Sequence, residues 1–367
     1  MIFSGILSHE ADWQYPAITE EHAYRRAVES LPEVNGIVYL AFPWATLIDL
    51  IWHGKNANHL LESLKNLSDL LFPGTRVATV CQHIRLLDHM DMFQKAGITD
   101  IFWSHATRGQ QFAPGYSDIN IFPFPLYPVQ APGGLPSYSN DRPHLFCFLG
   151  AKSEPCYLSP ARELIFEILG QDRRGVIRAR EDWHYRKEVY GDQIGHIQSA
   201  HHNPEQQRTK EEEFRDVLSQ SVFSLCPSGS GPNTIRLWEF LAMGTIPVVL
   251  SSTWQPPGDQ RLWDDGVIFC GETRKEIENL PQELEKIHTN TAHLEKKRRA
   301  CREVLLRYGP MNFSYDIQNL YATHAQSLRQ PIPVDNTAQS IKTISLSSGS
   351  FSEANRFFRV GRYSEAL

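Results

Sequence analysis

The chain has 367 residues, of which 41% are hydrophobic, and carries a formal net charge of −6. That length suits two ordinary domains with real cores, and an acidic balance with no long basic run argues against nucleic-acid binding as the main role. No apolar run reaches the about eighteen residues of a membrane span, and residues 1–8 lack the basic flank of a signal peptide, so they read as a first strand.

From the start, residues 1–7, 36–42, 76–82 and 100–104 have strand composition and alternate with helical stretches at 20–30, 57–71 and 86–96. Alternating β and α predicts a parallel sheet with helices on both faces. Residues 119–128, INIFPFPLYP, are apolar but too proline-rich for a central strand. Residues 119–122 are therefore expected at a sheet edge, leading into a crossover, and the Pro, Gly, Ser and Asn of 132–142 mark a linker.

A second α/β set opens with the strand LFCFLGA from Leu145, then a helix at 160–170 and a strand at 175–178. Residues 183–208 are polar and irregular, and 210–220 form a charged amphipathic helix. SVFSLCPSGSGPNTIRLWEFLAMGTIPVVLS, residues 221–251, reads as strand, glycine-rich turn, short helix, strand. Gly229 and Gly231 relax φ in the turn, Asn233 or Thr234 serves as N-cap, and Gly244 stops the helix. Pro247 opens the second strand, where a missing N–H is tolerated. A strand at 267–270 and helices at 274–290, 291–307 and 315–326 follow.

Beyond Arg329 the composition shifts. Residues 331–349 read as a flexible connector, and the closing F-x-x-x-G-R-Y-x-E-A-L resembles the first helix of a tetratricopeptide repeat. Two expectations stand side by side: a chain that continues into further repeats, or an amphipathic terminal helix. Phe357, Phe358, Val360, Tyr363 and Leu367 would supply that helix's contacts, with oligomerisation as one outcome. The six cysteines, Cys81, Cys147, Cys156, Cys226, Cys270 and Cys301, are widely spaced and sit mostly in apolar runs. They read as reduced core residues, so a cytoplasmic location is expected.

A glycine loop entering a helix N-terminus is an anion site. Arg236 sharpens the reading, because the first helical turn already carries positive potential and disfavours a cation. A compensating anion resolves the conflict: the phosphates of a bound nucleotide, or Glu239 at i+3 as a plain surface pair. Glu239 is also placed to accept hydrogen bonds from ribose hydroxyls.

These residues carry a resemblance. Phe223, Cys226, Pro227, Gly229, Arg236, Trp238, Glu239, Ala242, Gly244, Ile246, Pro247, Val248 and Val249 match the C-P-x-G…R-x-W-E-x-x-x-x-G-x-I-P-V-V signature of exostosin-type glycosyltransferases. A similar pattern occurs in α1,3-fucosyltransferases. Weaker resemblance extends from about Leu145 to Phe313, and the first half matches only in general layout. The resemblance implies an α/β, GT-B-like fold: two Rossmann-like domains facing each other across a cleft, with a C-terminal tail. Residues 1–128 would be the acceptor-side domain, 129–143 a linker, 144–329 the nucleotide-sugar domain and 330–367 the tail. It also implies a donor-binding role for Glu239.

In such a site Gly150, Lys152, Ser228, Gly229, Ser230, Gly231, Asn233, Thr234, Arg236 and Glu239 are the candidate donor-binding residues, and Arg108 is a further cation for the phosphates. No cofactor or metal is expected, because Asp88 and Asp91 are wrongly spaced for a D-x-D motif and Asp264-Asp265 is a bare pair. Helix N–H groups and Arg236 take the metal's place. Inversion at the sugar needs a base from the first half, and His9, Glu10, His83 and His105 follow its strands. Glu10 and His105 are the chosen candidates. His53 and His201-His202 match no compact zinc spacing. Trp183, Tyr185 and Tyr190 suit either sugar stacking or packing.

The expected function is an inverting, metal-independent hexosyl- or pentosyltransferase moving a sugar from a UDP-linked donor to a glycan acceptor, as in polysaccharide synthesis. The rivals are a GDP-fucose-dependent fucosyltransferase and a catalytically silent glycan- or nucleotide-binding module. An NAD-dependent oxidoreductase is disfavoured, since no GxGxxG follows the first strand of either half.

Overall fold

The structure is a computed structural model that describes residues 5–132, 134–136, 138, 141–152, 155–180 and 204–329. The first half contributes β1 (Gly5–Ser8), α1 (Thr19–Ser30), β2 (Ile37–Ala41), α2 (Trp44–Trp52), α3 (Asn58–Ser68) and β3 (Arg76–Cys81). A 3-10 turn (Leu86–His89) follows, then α4 (Met90–Lys95), β4 (Asp100–Trp103), β5 (Phe112–Ala113) and β6 (Tyr116–Pro123). The strands form one sheet in the order β1-β2-β3-β4-β6-β5, parallel except for the β5–β6 pair. Period-two alternation puts Val38 and Leu40 into the core beneath α2, α3 and α4, and Ile37, Tyr39 and Ala41 into the core beneath α1.

The expected edge strand at 119–122 is not the edge. It lies in β6, paired to β4 from Asp100↔Asn120 to Trp103↔Pro123, and the short β5 folds back to cover its outer side. Its proline falls at the last residue of the strand, where a missing N–H does little harm.

The second half contributes β7 (His144–Ala151), α5 (Ala161–Leu164) running into a π turn (Ile165–Leu169), β8 (Gly175–Arg180), α6 (Pro204–Ser219), β9 (Ser221–Pro227), α7 (Ile235–Ala242) and β10 (Ile246–Leu250). Then come α8 (Gln260–Gly266), β11 (Ile268–Cys270), α9 (Arg274–Thr289), α10 (Thr291–Tyr308) and α11 (Tyr315–Arg329). The sheet is fully parallel, in the order β11-β10-β9-β7-β8. That is the doubly wound arrangement whose strand order reverses between β7 and β9, and ligands of such sheets bind outside the strand ends at the reversal. Pro247 sits one residue before the pairing of β10 with β11 begins at Val248. Gly244 takes φ 71° just past α7, as a helix stop requires.

The division expected at residues 144–329 is crossed by the last helix. Ile317, Leu320 and Tyr321 of α11, with Phe313 before it, pack with Ala23, Ala27, Tyr39 and Phe102 in the core of the first half. The halves also meet through the carboxyl ends of their sheets. Thr107, after β4, forms an antiparallel bridge with Trp254, after β10. The N–H of Arg108 donates to Thr253 O at 2.9 Å, and that of Gln255 to Ala106 O at 3.0 Å. Two Rossmann-like halves with their strand ends turned toward each other make the architecture GT-B-like.

All six cysteines are free, and only Cys156 is exposed. Among the described residues no helix is long and apolar enough to cross a membrane. The tail, Trp183, Tyr185, Tyr190, His201 and His202 lie outside the described residues.

Candidate active site

The strand reversal between β7 and β9 is flanked by Gly150-Ala151-Lys152 on one side and Ser228 to Thr234 on the other. One side chain bridges them. Arg162, in the first turn of α5, donates from Nε to Ser228 O at 3.1 Å and from Nη1 to Ala151 O at 3.5 Å. Its guanidinium lies 4.6 Å from the Tyr157 ring centre. A Cβ on Gly150 would stand 3.3 Å from Arg162 Nη1 and one on Gly229 3.7 Å from Nη2, so both glycines flank this guanidinium. Burial, with Arg236 nearby, lowers the Arg162 pKa to about 10.

Arg236 is the second cation. Burial lowers its pKa too, and its Nη1 is buried with no hydrogen-bond partner among the described residues. The guanidinium lies 5.9 Å from the Phe148 ring and 5.7 Å from the Phe214 ring. The expected alternative, a surface pair with Glu239, is not formed. Glu239 is itself buried and accepts a hydrogen bond at 3.0 Å from the N–H of Gln130 in the linker between the halves. Burial raises its pKa to about 7 against the pull of Arg236. Two guanidinium groups that form no ion pair among the described residues, beside the N-terminus of α7, concentrate positive charge at this strand end, offset in part by the attraction between Arg236 and Glu239.

The loop itself is fixed by backbone bonds: Ser228 N to Leu250 O at 2.9 Å, Gly229 N to Gly231 O at 3.1 Å and Leu158 N to Gly229 O at 2.9 Å. Neither Gly229 nor Gly231 takes a positive φ, so the expected use of these glycines is corrected. Gly231 is required by close approach: a Cβ there would fall 2.4 Å from His105 Nδ1 and 2.8 Å from Ile84 Cγ2. Thr234 stands at the N-cap without a side-chain bond. Asn233 does the local work: its Oδ1 accepts from Thr234 N at 2.8 Å and Trp238 Nε1 at 3.1 Å, and its Nδ2 donates to Ser104 O at 2.8 Å. Ser230 lies half-buried in the loop and Lys152 is exposed at the end of β7.

The two base candidates lie in different settings. His105 is buried against Gly231, with Nδ1 unpartnered, and burial together with His83 pushes its pKa down to about 3, so it is neutral. Glu10 is exposed after β1 and accepts from Tyr24 Oη at 2.6 Å and Ser8 Oγ at 3.2 Å. His83 is occupied: Nε2 meets Asp49 Oδ1 at 3.1 Å and Nδ1 accepts from Arg85 N. His9 bonds Ser63 and Asp12, and His53 Nδ1 bonds Asp49 O. Arg108 is drawn into the contact between the halves, its Nε donating to Trp254 O at 3.2 Å. Among the described residues no group of three His, Cys, Asp or Glu side chains is placed to hold a metal.

Sequence reasoning missed Arg162 and Glu272. Arg162 carries the same signal that exposed Arg236, a cation in a first helical turn beside a strand end. Glu272 follows β11, and its Oε1 accepts from Ser159 Oγ at 2.5 Å and Ser228 Oγ at 2.7 Å.

Residues 73–284, more than half of the chain, match the exostosin GT47 domain. The chain belongs to the exostosin GT47 family of glycosyltransferases. Ribitol-5-phosphate xylosyltransferase 1 of Homo sapiens is 26% identical over 153 residues, and that of Danio rerio 26% over 147. Each match covers 37% of this chain and 28% of the relative, so the chain spans under a third of those proteins. Among solved structures, an alpha-glucosyltransferase in complex with UDP is 11% identical with a TM-score of 0.46, covering 87% of this chain and 90% of its own. A sucrose-phosphate synthase from Thermosynechococcus elongatus is 10% identical with a TM-score of 0.42, covering 80% and 74%.

Proposed function

We propose that the chain transfers a sugar from a nucleotide-diphosphate donor, UDP-linked in the first instance, to a glycan acceptor with inversion at the anomeric carbon. The carrying observation is the pair of guanidiniums at the strand reversal, the buried Arg162 and the half-buried Arg236, neither of which forms an ion pair with a carboxylate among the described residues, Arg236 keeping a buried Nη1 without a hydrogen-bond partner. A diphosphate supplies the missing negative charge. As the glycosidic bond breaks, charge grows on the leaving diphosphate, and cations already fixed in a buried site stabilise it without reorganising. This removes the need for a metal. Gly229, Gly231, Ser228, Ser230, Asn233 and Thr234 shape the loop around the phosphates, and Gly150 and Lys152 line the opposite strand end. The relatives are named for xylosyl transfer to ribitol 5-phosphate, so a pentose donor is the first to assay.

The acceptor hydroxyl requires a base. His105 presents an unpartnered Nδ1 beside Gly231, and Glu10 offers an exposed carboxylate; we assign the role to one of these two. Calorimetric titration with UDP, GDP, CMP and NAD in excess EDTA tests the reading. UDP is expected to bind without metal. Binding of GDP alone turns the reading to the fucosyltransferase alternative, and UDP binding with no transfer to any glycan favours the silent module.

A further inference from the structure

We infer that Glu272, rather than Glu239, receives the ribose hydroxyls of the donor; the inference rests on the nucleotide-diphosphate reading of this site. Glu239 is buried, and its Oε1 is engaged by the Gln130 N–H beneath the linker. Glu272 is half-buried at the carboxyl end of β11, on the same side of the sheet as the glycine loop. Loops from three other strands converge on it. Ser159 follows β7, Ser228 follows β9 and Ser252 follows β10.

The two carboxylate oxygens are unequally held. Oε1 accepts from Ser159 Oγ at 2.5 Å and Ser228 Oγ at 2.7 Å. Among the described residues Oε2 has only long contacts, with Ser252 N at 3.4 Å and Ser252 Oγ at 3.3 Å. A carboxylate oxygen held at such distances keeps lone-pair capacity for a further donor, and a vicinal diol offers two. Ser228 ties this carboxylate to the cations: its carbonyl accepts from Arg162 Nε while its hydroxyl donates to Glu272. One residue therefore separates the diphosphate cradle from the carboxylate, a short span that a ribose bridges between its 5′-phosphate and its 2′,3′-diol. In dinucleotide-binding doubly wound folds an acidic side chain holds the ribose hydroxyls; here Glu272 stands two strands from the glycine-loop strand, at the end of β11 beyond β10.

The test compares UDP with 2′,3′-dideoxy-UDP by calorimetry on the full chain and on its Glu272→Gln and Glu239→Gln variants. The wild type is expected to prefer UDP by about tenfold or more, the worth of a hydrogen bond to a charged group. Glu272→Gln should melt like the wild type and lose that preference, while Glu239→Gln keeps it. Preference retained in Glu272→Gln, or lost instead in Glu239→Gln, overturns the inference. Equal binding of both ligands to the wild type overturns it too and leaves the donor site standing. A wild type that binds no nucleoside diphosphate overturns the donor reading, and this inference falls with it.

Discussion

Asn233 of the glycine loop donates from Nδ2 to the carbonyl of Ser104 at 2.8 Å, joining the candidate donor site of one half to the β4 strand end of the other. The same amide accepts from Thr234 N and Trp238 Nε1. The side chain thus fixes the entry to α7 and the contact between the halves at once. Asn233→Ala strands two donors and an acceptor in a buried setting, at an expected cost of about 2–3 kcal/mol. Asn233→Asp keeps the acceptor but sets a carboxylate against the Ser104 carbonyl. Urea titration should show both variants less stable, with UDP binding weakened in both. Wild-type stability in Asn233→Ala would show that the link is idle.

Arg236 should oppose stability while serving binding. The half-buried Arg236 carries a buried Nη1 with no hydrogen-bond partner among the described residues, which is costly to the unliganded protein, so Arg236→Met is expected to leave it as stable as the wild type or more so. The same change should weaken UDP binding by about 10- to 100-fold, through the loss of charge-assisted bonds. Arg162→Met differs: it also strands the carbonyls of Ser228 and Ala151, so stability and binding should fall together. Paired thermal melts and calorimetry read both effects. UDP affinity unchanged in Arg236→Met would remove it from the phosphate site.

Arg236 was legible in the sequence because a cation in a first helical turn contradicts the macrodipole, and Glu239 because of its i+3 spacing. Arg162 was missed although it makes the same contradiction, since α5 has only four residues before the π turn and no glycine loop draws attention to it. The helix α2, WATLIDLIW, went unread for another reason. Trp44, Ala45, Leu47, Ile48, Asp49 and Leu50 are all buried, which erases the polar face that reveals a helical period. The return of α11 to the first half has no local signal at all. An amphipathic helix shows which face it buries, not which core receives it.

Gly231→Ala and Gly229→Ala separate close approach from backbone freedom. A Cβ at 231 would collide with His105 and Ile84 across the contact between the halves, while one at 229 meets only Arg162 Nη2 at ordinary distance. Gly231→Ala is therefore expected to cost about 1–3 kcal/mol, as overpacking does, and Gly229→Ala little. Denaturant midpoints compare them directly. Equal losses would mean that the loop, and not the contact, sets the requirement.

The base candidates divide by kinetics. Substituting the true base by an inert group should lower kcat by about 10²-fold or more while UDP affinity survives. His105→Gln and Glu10→Gln are the variants to assay. If neither loses turnover, another first-half group carries the proton.

Glu20 makes the pH dependence of stability testable. It is buried, its Oε1 accepts from Gln82 N at 3.0 Å and Ala45 N at 3.2 Å, and its Oε2 from Ala45 N at 3.1 Å, so it ties β3 to the first turn of α2. Burial nevertheless dominates and raises its pKa to about 8 from the ordinary 4.5. The sign follows from proton counts: between about 4.5 and 8 the folded form holds a proton that the unfolded chain has lost, so stability falls as pH rises through that window. Glu239, raised to about 7, acts in the same direction, whereas His105, lowered to about 3 from 6.5, favours folding as pH rises between those values. Comparing Glu20→Gln with the wild type isolates the first effect, because the other two groups are common to both. The variant should gain on the wild type between pH 5 and pH 8 by about 1–3 kcal/mol, a magnitude set by pKa linkage. Parallel stability curves for the two proteins would show that Glu20 ionises in the folded state at its ordinary pKa.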